Sequence, residues 1–185
     1  MLAYVFWHWP APDHRAAEYE QLQADFHAAL AQAHPPGFEC SFVYRVDGEA
    51  PWLGGSPAYA DWYLVRDSAA LDPLNVAAVT GVCEQPHAKV AHAMAAGAGS
   101  LLALRGDADP NVGAARHLTW LTKPRPMPYT DFYAAVSATP AASLWRRTMV
   151  LGPNPEFALL TAAAPPALTE FTPLTLGLTP VWPKP

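Results

Sequence analysis

The stretch YVFWHW (residues 4–9) lies almost at the start of the chain and constrains the fold more than any other segment. A strand that covers a core with only one face alternates apolar and polar residues, because successive side chains point to opposite sides of a sheet. This stretch does not alternate, since aromatic and β-branched residues occupy both sides and His8 is its only ionisable residue at neutral pH. WYLV (residues 62–65) shows the same pattern. Both strands are therefore predicted to be covered by helices on one face and by a second sheet on the other.

Length and composition indicate a folded protein with a sizeable core. The chain has 185 residues, of which 51% are hydrophobic and 15% charged, a composition typical of globular domains. Its two cysteines, Cys40 and Cys83, form no CxxC motif and are expected to be small apolar residues in a reducing compartment. The first residues lack the pattern of a signal peptide, which predicts a cytoplasmic protein. The longest uncharged run, residues 90–104, is too short to span a bilayer, so no membrane association is expected.

The formal charges are distributed unevenly along the chain. Residues 1–110 contain 5 Lys/Arg and 13 Asp/Glu, a charge of −8, and residues 111–185 contain 6 and 3, a charge of +3. The asymmetry favours one of two simple interpretations: the two parts dock on each other, or their charges lie on solvated surfaces. The less favoured alternative is that the second part attracts an anion. No basic stripe is present, so nucleic-acid binding is not expected.

The order of strand and helix patterns divides the chain into two related units. In residues 1–105 the order is βαββαβ, the pattern of a ferredoxin-like unit with an antiparallel sheet. The predicted strands are residues 2–9, 38–46, 59–66 and 100–105, and the predicted helical segments are residues 13–33 and 71–94. The first helix follows from an apolar stripe at helical spacing, formed by Tyr19, Leu22, Phe26, Leu30 and Ala33.

After a predicted linker at residues 106–115 the pattern starts again and is shorter. Residues 116–185 contain a strand, a short helix with Thr130 as its expected N-cap, two strands joined by the turn sequence GPNP, and a final strand. HLTWLTKPRP (117–126) parallels YVFWHWPAP (4–12), which indicates an internal repeat. Because no room remains for a second helix, the second ferredoxin-like unit is predicted to be truncated. The two units are expected to form either separate domains or one compact domain.

The segment KPRPMPYTDFYAAV (residues 123–136) is similar to the strand-to-helix segment of EthD-like members of the dimeric α+β barrel superfamily. In this superfamily ferredoxin-like units pair sheet to sheet, and members with two fused units exist. The resemblance implies an α+β barrel, a homodimer, and a small apolar or aromatic ligand held between the sheets. For an enzyme it implies a cofactor-independent oxygenation, an isomerisation or a similar proton abstraction. A haem-binding barrel is a further alternative that the superfamily allows.

Strand register identifies a candidate catalytic pair. Val5 and Trp7 form an entirely apolar face that is expected to meet the helices, which turns His8 toward the space between the sheets. In the predicted strand order 4-1-3-2, the end of the first strand lies beside the start of the third, which places His8 within reach of Asp61. A carboxylate beside an imidazole fixes its tautomer and raises its basicity, an arrangement typical of general acid–base catalysis. The alternative is a buried pair with a purely structural role.

In the catalytic interpretation His8 is the base, Asp61 orients it, and Arg45 or Tyr63 stabilises an oxyanion. The residues expected to contact a ligand are Tyr4, Phe6, Arg45, Trp52, Tyr63 and His117. Trp52 belongs to a long loop, residues 47–57, and is expected either to form a lid over the ligand or to pack on a dimer surface. The remaining alternative is a non-catalytic protein whose inter-sheet face is a dry dimer core.

Other polar residues show weaker patterns. His27 and His34 flank the apolar stripe of the first helix and are expected to be exposed. No set of histidines, cysteines and carboxylates has the spacing of a metal site, so neither a metal ion nor a cofactor is predicted. Arg146 and Arg147 are consecutive on a strand and must face opposite sides, with a salt bridge or an edge position favoured over an anion-binding role.

Overall fold

The computed structural model describes residues 1–106, 109–139, 142–149 and 152–183. Its strands are β1 (Leu2–Pro10), β2 (Phe38–Asp47), β3 (Ala58–Val65), β4 (Met94–Arg105), β5 (His117–Leu121), β6 (Ala142–Arg147), β7 (Phe157–Thr161) and β8 (Leu174–Trp182). Its α-helices are α1 (Ala16–Ala33), α2 (Leu71–Ala78), α3 (Glu84–Ala93) and α4 (Tyr129–Ser137). Within these ranges no helix has both the length and the apolar character needed to cross a membrane.

All eight strands join in one closed antiparallel barrel, in the order β1-β3-β2-β8-β5-β7-β6-β4. The prediction of an α+β barrel with antiparallel pairing is confirmed. The first four strands lie in the predicted order β4-β1-β3-β2, and the last four lie in the corresponding order β8-β5-β7-β6. Pairing of β2 with β8 and of β4 with β6 joins the two halves. Because the barrel closes within one chain, no second chain is needed to cover its inner face, and the expected homodimer stays a prediction.

The barrel interior is filled by one apolar cluster that contains side chains from every strand. It includes the fully buried tryptophans Trp7, Trp62, Trp120 and Trp145. The ring centroids of Trp7 and Trp120 are 5.9 Å apart, and those of Trp62 and Trp145 are 5.6 Å apart. An eight-stranded barrel is just wide enough inside for side chains to fill it. The interior is therefore a packed core.

The two faces of β1 are the reverse of the sequence-based expectation. Val5 and Trp7 lie in the barrel interior, whereas Tyr4 and Phe6 pack on the outer face, against the helices. The prediction that Tyr4, Phe6 and His8 point between the sheets was wrong. Strand alternation determines which residues share a face, but both faces of β1 are aromatic, so the pattern does not indicate which face is inside.

Helices cover the outer face of each half of the barrel. In the first half, Phe26 of α1 and Leu74 of α2 pack on the sheet; in the second, Phe132 of α4 does so. Thr130 lies inside α4 rather than at its N-cap, so that expectation was wrong. The connection from β7 to β8, which is described throughout, contains one 3₁₀ turn (Thr169–Phe171) and no α-helix, in agreement with the lack of room read from the sequence.

Strand β4 begins at Met94, six residues earlier than predicted. After Met94 its next residues, 95–99, are alanines and glycines, and two aromatic rings of β1 lie on the glycines. A Cβ atom on Gly97 would be 2.5 Å from the Phe6 ring, and one on Gly99 would be 3.0 Å from the Tyr4 ring. The glycines therefore make room for Tyr4 and Phe6 on the outer face of the sheet.

The predicted linker, residues 106–115, is tied to the barrel. Val112 belongs to the interior cluster, and its carbonyl oxygen accepts a hydrogen bond from the Tyr44 hydroxyl. The positions that lie outside the described residues are 107 and 108 in the predicted linker, and 140, 141, 150, 151, 184 and 185 in the predicted second unit.

Replacing Trp62 by alanine is expected to lower the free energy of unfolding by about 3–5 kcal/mol, because packed neighbours cannot close the cavity that it leaves. Trp182 is the matched control, since it is only partly buried at the end of β8, and its replacement by alanine is expected to cost about 1 kcal/mol. Urea denaturation followed by circular dichroism measures both values. Equal losses in the two variants would contradict a packed interior.

Candidate functional site

The carboxylate of Asp61 on β3 is the centre of a buried hydrogen-bond network on the outer face of the sheet. Its Oδ1 lies 3.0 Å from Nε2 of His8 on β1. Its Oδ2 accepts a hydrogen bond of 2.9 Å from the Tyr63 hydroxyl and lies 3.3 Å from Nε2 of His27 on α1. Asp61 is 2% exposed. Two strands and one helix thus direct donors at a single carboxylate.

The other ring nitrogen of each histidine has a hydroxyl partner. Nδ1 of His8 lies 2.6 Å from the Tyr19 hydroxyl, and Nδ1 of His27 lies 2.8 Å from Oγ of Ser41. One assignment of protons satisfies every group: each Nε2–H donates to Asp61, and each Nδ1 accepts from a hydroxyl. In this assignment the network is complete and carries the single negative charge of Asp61.

Opposing effects act on the pKa of Asp61. Burial by itself raises the pKa of the Asp61 carboxyl group, but the electrostatic attraction and the hydrogen bonds of the His8 and His27 N–H groups outweigh it and hold the pKa well below its usual range. Burial and the nearby Asp61 charge raise the pKa of Tyr63 well above that of a free tyrosine. Burial, followed by the Asp61 charge, also raises the pKa of Tyr19. The carboxylate is therefore ionised at neutral pH, and both hydroxyls keep the protons that they donate.

A cavity of about 610 Å³ opens above this network, between the sheet and helices α1, α2 and α3. Most of its lining is apolar, and its principal apolar residues are Tyr4, Phe6, Phe26, Leu74, Val90 and Met94. Its polar lining residues are Gln23, Asp61, Tyr63, Asp72, Asn75 and His87. The cavity is thus a mainly apolar space with the ionised Asp61 in its wall.

Gln23 of α1 lines the cavity and is fully buried. Neither its Nε2 nor its Oε1 has a hydrogen-bond partner among the described residues. The amide does lie close enough to the Tyr19 hydroxyl to offset part of the rise in the pKa of that tyrosine. A buried amide without partners destabilises the fold by about 1–3 kcal/mol for each unsatisfied group.

Four of the predicted site residues line this cavity and one lies behind it. Tyr4, Phe6, Asp61 and Tyr63 belong to the lining. His8 is 1% exposed and does not line the cavity, and both of its ring nitrogens are engaged by other side chains. The structure therefore brings His8 and Asp61 together as predicted, but Asp61 and not His8 faces the space.

Arg45 lies outside the cavity, contrary to its predicted place. Its Nη1 is 3.1 Å from Oε1 of Glu20, which also accepts a hydrogen bond of 3.1 Å from the Tyr59 hydroxyl. The ion pair with Glu20 thus accounts for the position of the Arg45 side chain. The same holds for Arg146, whose Nε is 2.8 Å from Oε1 of Glu156, the kind of contact that the sequence favoured for it.

Trp52 and His117 also lie away from the cavity. The ring of Trp52 packs against Trp7 and Trp120, with centroid distances of 6.3 Å and 5.6 Å, so it closes the barrel interior and is not a lid over the cavity. His117 begins β5, which is opposite β1 in the order of the eight strands. The expected grouping of these two residues with His8 was therefore wrong, because it assumed a ligand site inside the barrel.

Sequence reasoning missed the contribution of α1 to this site. His27 was expected to be exposed, and this was wrong, because it is fully buried. Tyr19, Gln23 and His27 are spaced four residues apart and share one helix face. This stripe of hydrogen-bonding residues, adjacent to the apolar stripe, is the signal that could have identified them. Within the described ranges, no group of three or more histidines, cysteines and carboxylates has an arrangement that could hold a metal ion.

Replacing Asp61 by asparagine is expected to lower the free energy of unfolding at pH 7 by about 3 kcal/mol, because the amide nitrogen cannot accept from a histidine N–H. The pKa of Asp61 is lower in the folded chain than in the unfolded chain, so its stabilisation is present above the unfolded pKa and is lost as the pH falls. The difference in the free energy of unfolding between the wild-type protein and Asp61→Asn should therefore narrow below about pH 4.

Urea denaturation at a series of pH values measures this difference. Asp72→Asn is the control, because Asp72 lines the same cavity but is exposed, and it should leave stability nearly unchanged. A difference for Asp61→Asn that stayed constant down to the lowest pH would contradict the lowered pKa.

Comparison with known proteins gives a likeness in fold. No protein-family model matches the chain, and a search of curated proteins finds no match, so the resemblance to EthD-like proteins stays a prediction. The chain is similar to the crystal structure of a proposed monooxygenase from Lactobacillus acidophilus NCFM, with a TM-score of 0.54 and 9% sequence identity, over 97% of this chain and 94% of that chain. At this identity the likeness shows that the two chains share an α+β barrel fold.

Proposed function

We propose that this protein binds a small, largely apolar or aromatic molecule in the cavity between the sheet and helices α1 to α3. The observation that carries the proposal is a mainly apolar cavity that has an ionised, fully hydrogen-bonded carboxylate in its wall. Its volume, about 610 Å³, falls within the range of about 300–1,000 Å³ that small-molecule sites occupy. Tyr4, Phe6 and Tyr63 are proposed to contact the ligand.

This location replaces the inter-sheet site that the sequence suggested. The interior of the barrel holds Trp7, Trp62, Trp120 and Trp145 and is packed, so it matches the dry core of the non-catalytic alternative. The outer face of the same strands carries the cavity. A structural role for the interior and a binding role for the outer face are therefore compatible. Neither His8 nor His27 favours the haem alternative, because both use their two ring nitrogens within the network.

We also propose that the chain consists of two tandem ferredoxin-like units, the second truncated. Support comes from the strand order, which is β4-β1-β3-β2 in the first half and β8-β5-β7-β6 in the second. Among the residues that the structure describes, the second half has one α-helix where the first has three. The cavity lies on the first half, under helices α1 to α3, so the binding function is assigned to the first unit.

Binding of 1-naphthol, a neutral fluorescent aromatic alcohol, tests the first proposal. Saturable binding to the wild-type protein is expected. Ala78→Phe should weaken it by about tenfold or more, because Ala78 lines the cavity and the added ring would occupy it. Ala28→Phe is the matched control, since Ala28 is exposed on α1, and it should leave binding unchanged. Absence of saturable binding, or equal affinity in all three proteins, would overturn the proposal.

Proton abstraction is the second candidate function, and the placement of Asp61 in the cavity wall favours it. In this proposal Asp61 accepts the proton from the substrate, while His8 and His27 are positioning residues that hold its carboxylate. Once Asp61 is protonated, the Tyr63 hydroxyl can turn from it to the oxygen that becomes negative on the substrate. Oxygenation and isomerisation without a cofactor both begin with such a step, and the fold is shared with a proposed monooxygenase. The lowered pKa of Asp61 makes it a weak base, so binding remains the first proposal.

Deuterium exchange into 2-tetralone, a neutral aromatic ketone with an acidic C–H bond, measures proton abstraction directly. The wild-type protein is expected to accelerate the exchange seen by NMR in deuterated buffer, and both Asp61→Asn and Ala78→Phe should abolish the acceleration. Ala28→Phe should retain it. Exchange at the rate of buffer alone in every protein would remove the catalytic proposal and leave the binding proposal standing.

A further inference from the structure

The amide of Gln23 is a fully buried polar group in the wall of this cavity and has no hydrogen-bond partner among the described residues. Asp61 already accepts from three donors, and the Tyr63 hydroxyl donates to Asp61. Gln23 has no surface exposure, lines the cavity, and neither Nε2 nor Oε1 has a hydrogen-bond partner in the part of the chain that the structure describes. Such a group costs folding free energy unless something in the cavity pairs with it. The amide thus holds a donor and an acceptor in the cavity wall, and because neither atom is exposed, an occupant would pair with them once the side chain turns toward it.

The charge of the cavity restricts that occupant further. The ionised groups in the lining are Asp61, which is buried, and Asp72, which is exposed. Burial lowers the pKa of His87, which favours its neutral form. Neither lysine nor arginine contributes to the described lining. An anionic ligand would therefore lose its hydration beside a like charge and gain no cationic partner.

We propose that the ligand is a neutral aromatic molecule with a carboxamide or lactam edge, and that Gln23 is the residue that recognises this edge. The N–H of the edge donates to Oε1 of Gln23, and its carbonyl accepts from Nε2, which gives a cyclic pair of hydrogen bonds. An ionised carboxylate of the same size is rejected, because it cannot donate to Oε1 and it faces the charge of Asp61. This inference rests on the proposed binding function and adds the chemical class of the ligand.

Three matched probes test the inference near neutral pH: 2-naphthamide, methyl 2-naphthoate and 2-naphthoic acid, which is ionised under these conditions. Isothermal titration calorimetry is expected to show that the amide binds about tenfold or more tightly than the acid, with the ester in between. Gln23→Leu should weaken binding of the amide by about tenfold and leave the ester nearly unchanged. It should also raise the melting temperature, because it removes a buried amide that has no partner.

Gln21→Leu is the matched control, since Gln21 is exposed on the same helix, where its Nε2 donates to Oδ1 of Asp25; it should change neither the affinities nor their order. Equal affinity for the amide and the acid would overturn the assignment of the ligand class, and so would a preference for the amide over the acid that is unchanged in Gln23→Leu. In either case, binding of any of the probes would still uphold the proposed binding function. Failure of all three probes, with 1-naphthol still bound, would also overturn the assignment of the ligand class. Failure of 1-naphthol as well would overturn both.

Discussion

A carboxylate almost fully buried between a sheet and a helix is the constraint on which the rest of this structure depends. An anion is stable there only when donors satisfy it, and Asp61 receives them from β1, β3 and α1. The position of α1 on the sheet is therefore set by hydrogen-bond geometry as well as by apolar packing. A shift of α1 that moved His27 away from Asp61 would leave a buried charge short of a donor.

The strands β1 and β3 have a different role on each face. Their inner side chains, such as Trp7 and Trp62, complete the packed interior of the barrel. Their outer side chains, such as Phe6 and Asp61, form the wall of a cavity. Because the interior supplies much of the apolar burial, the outer face can carry polar groups that lower stability, as binding sites commonly do. The unpaired amide of Gln23 on α1, which faces the outer side of these strands, is one of these polar groups.

The proximity of His8 and Asp61 could be predicted, because strand order and register determine it almost completely. In the antiparallel pairing of β1 with β3, Phe6 lies opposite Asp61 and His8 lies opposite Tyr59, so the two side chains are diagonal neighbours on one face. The burial of His27 could not be predicted in the same way. Successive helical residues differ by about 100° in direction, so a small rotation of α1 decides whether His27 faces the sheet or the solvent.

The sequence by itself determined the order of the elements, the coverage of β1 and β3 on both faces, and the sets of residues that share a face. These properties follow from local periodicity, which each strand or helix carries in its own residues. Tertiary structure alone decided which face became the inside of the barrel, and therefore where the cavity lies. Closure pairs β2 with β8 and β4 with β6, and it curves the sheet toward one of two faces. Both faces carry aromatic residues, and the polar His8 and Asp61 on one of them are compatible with a ligand site inside the barrel as well as with one under the helices, so local pattern does not decide between the two.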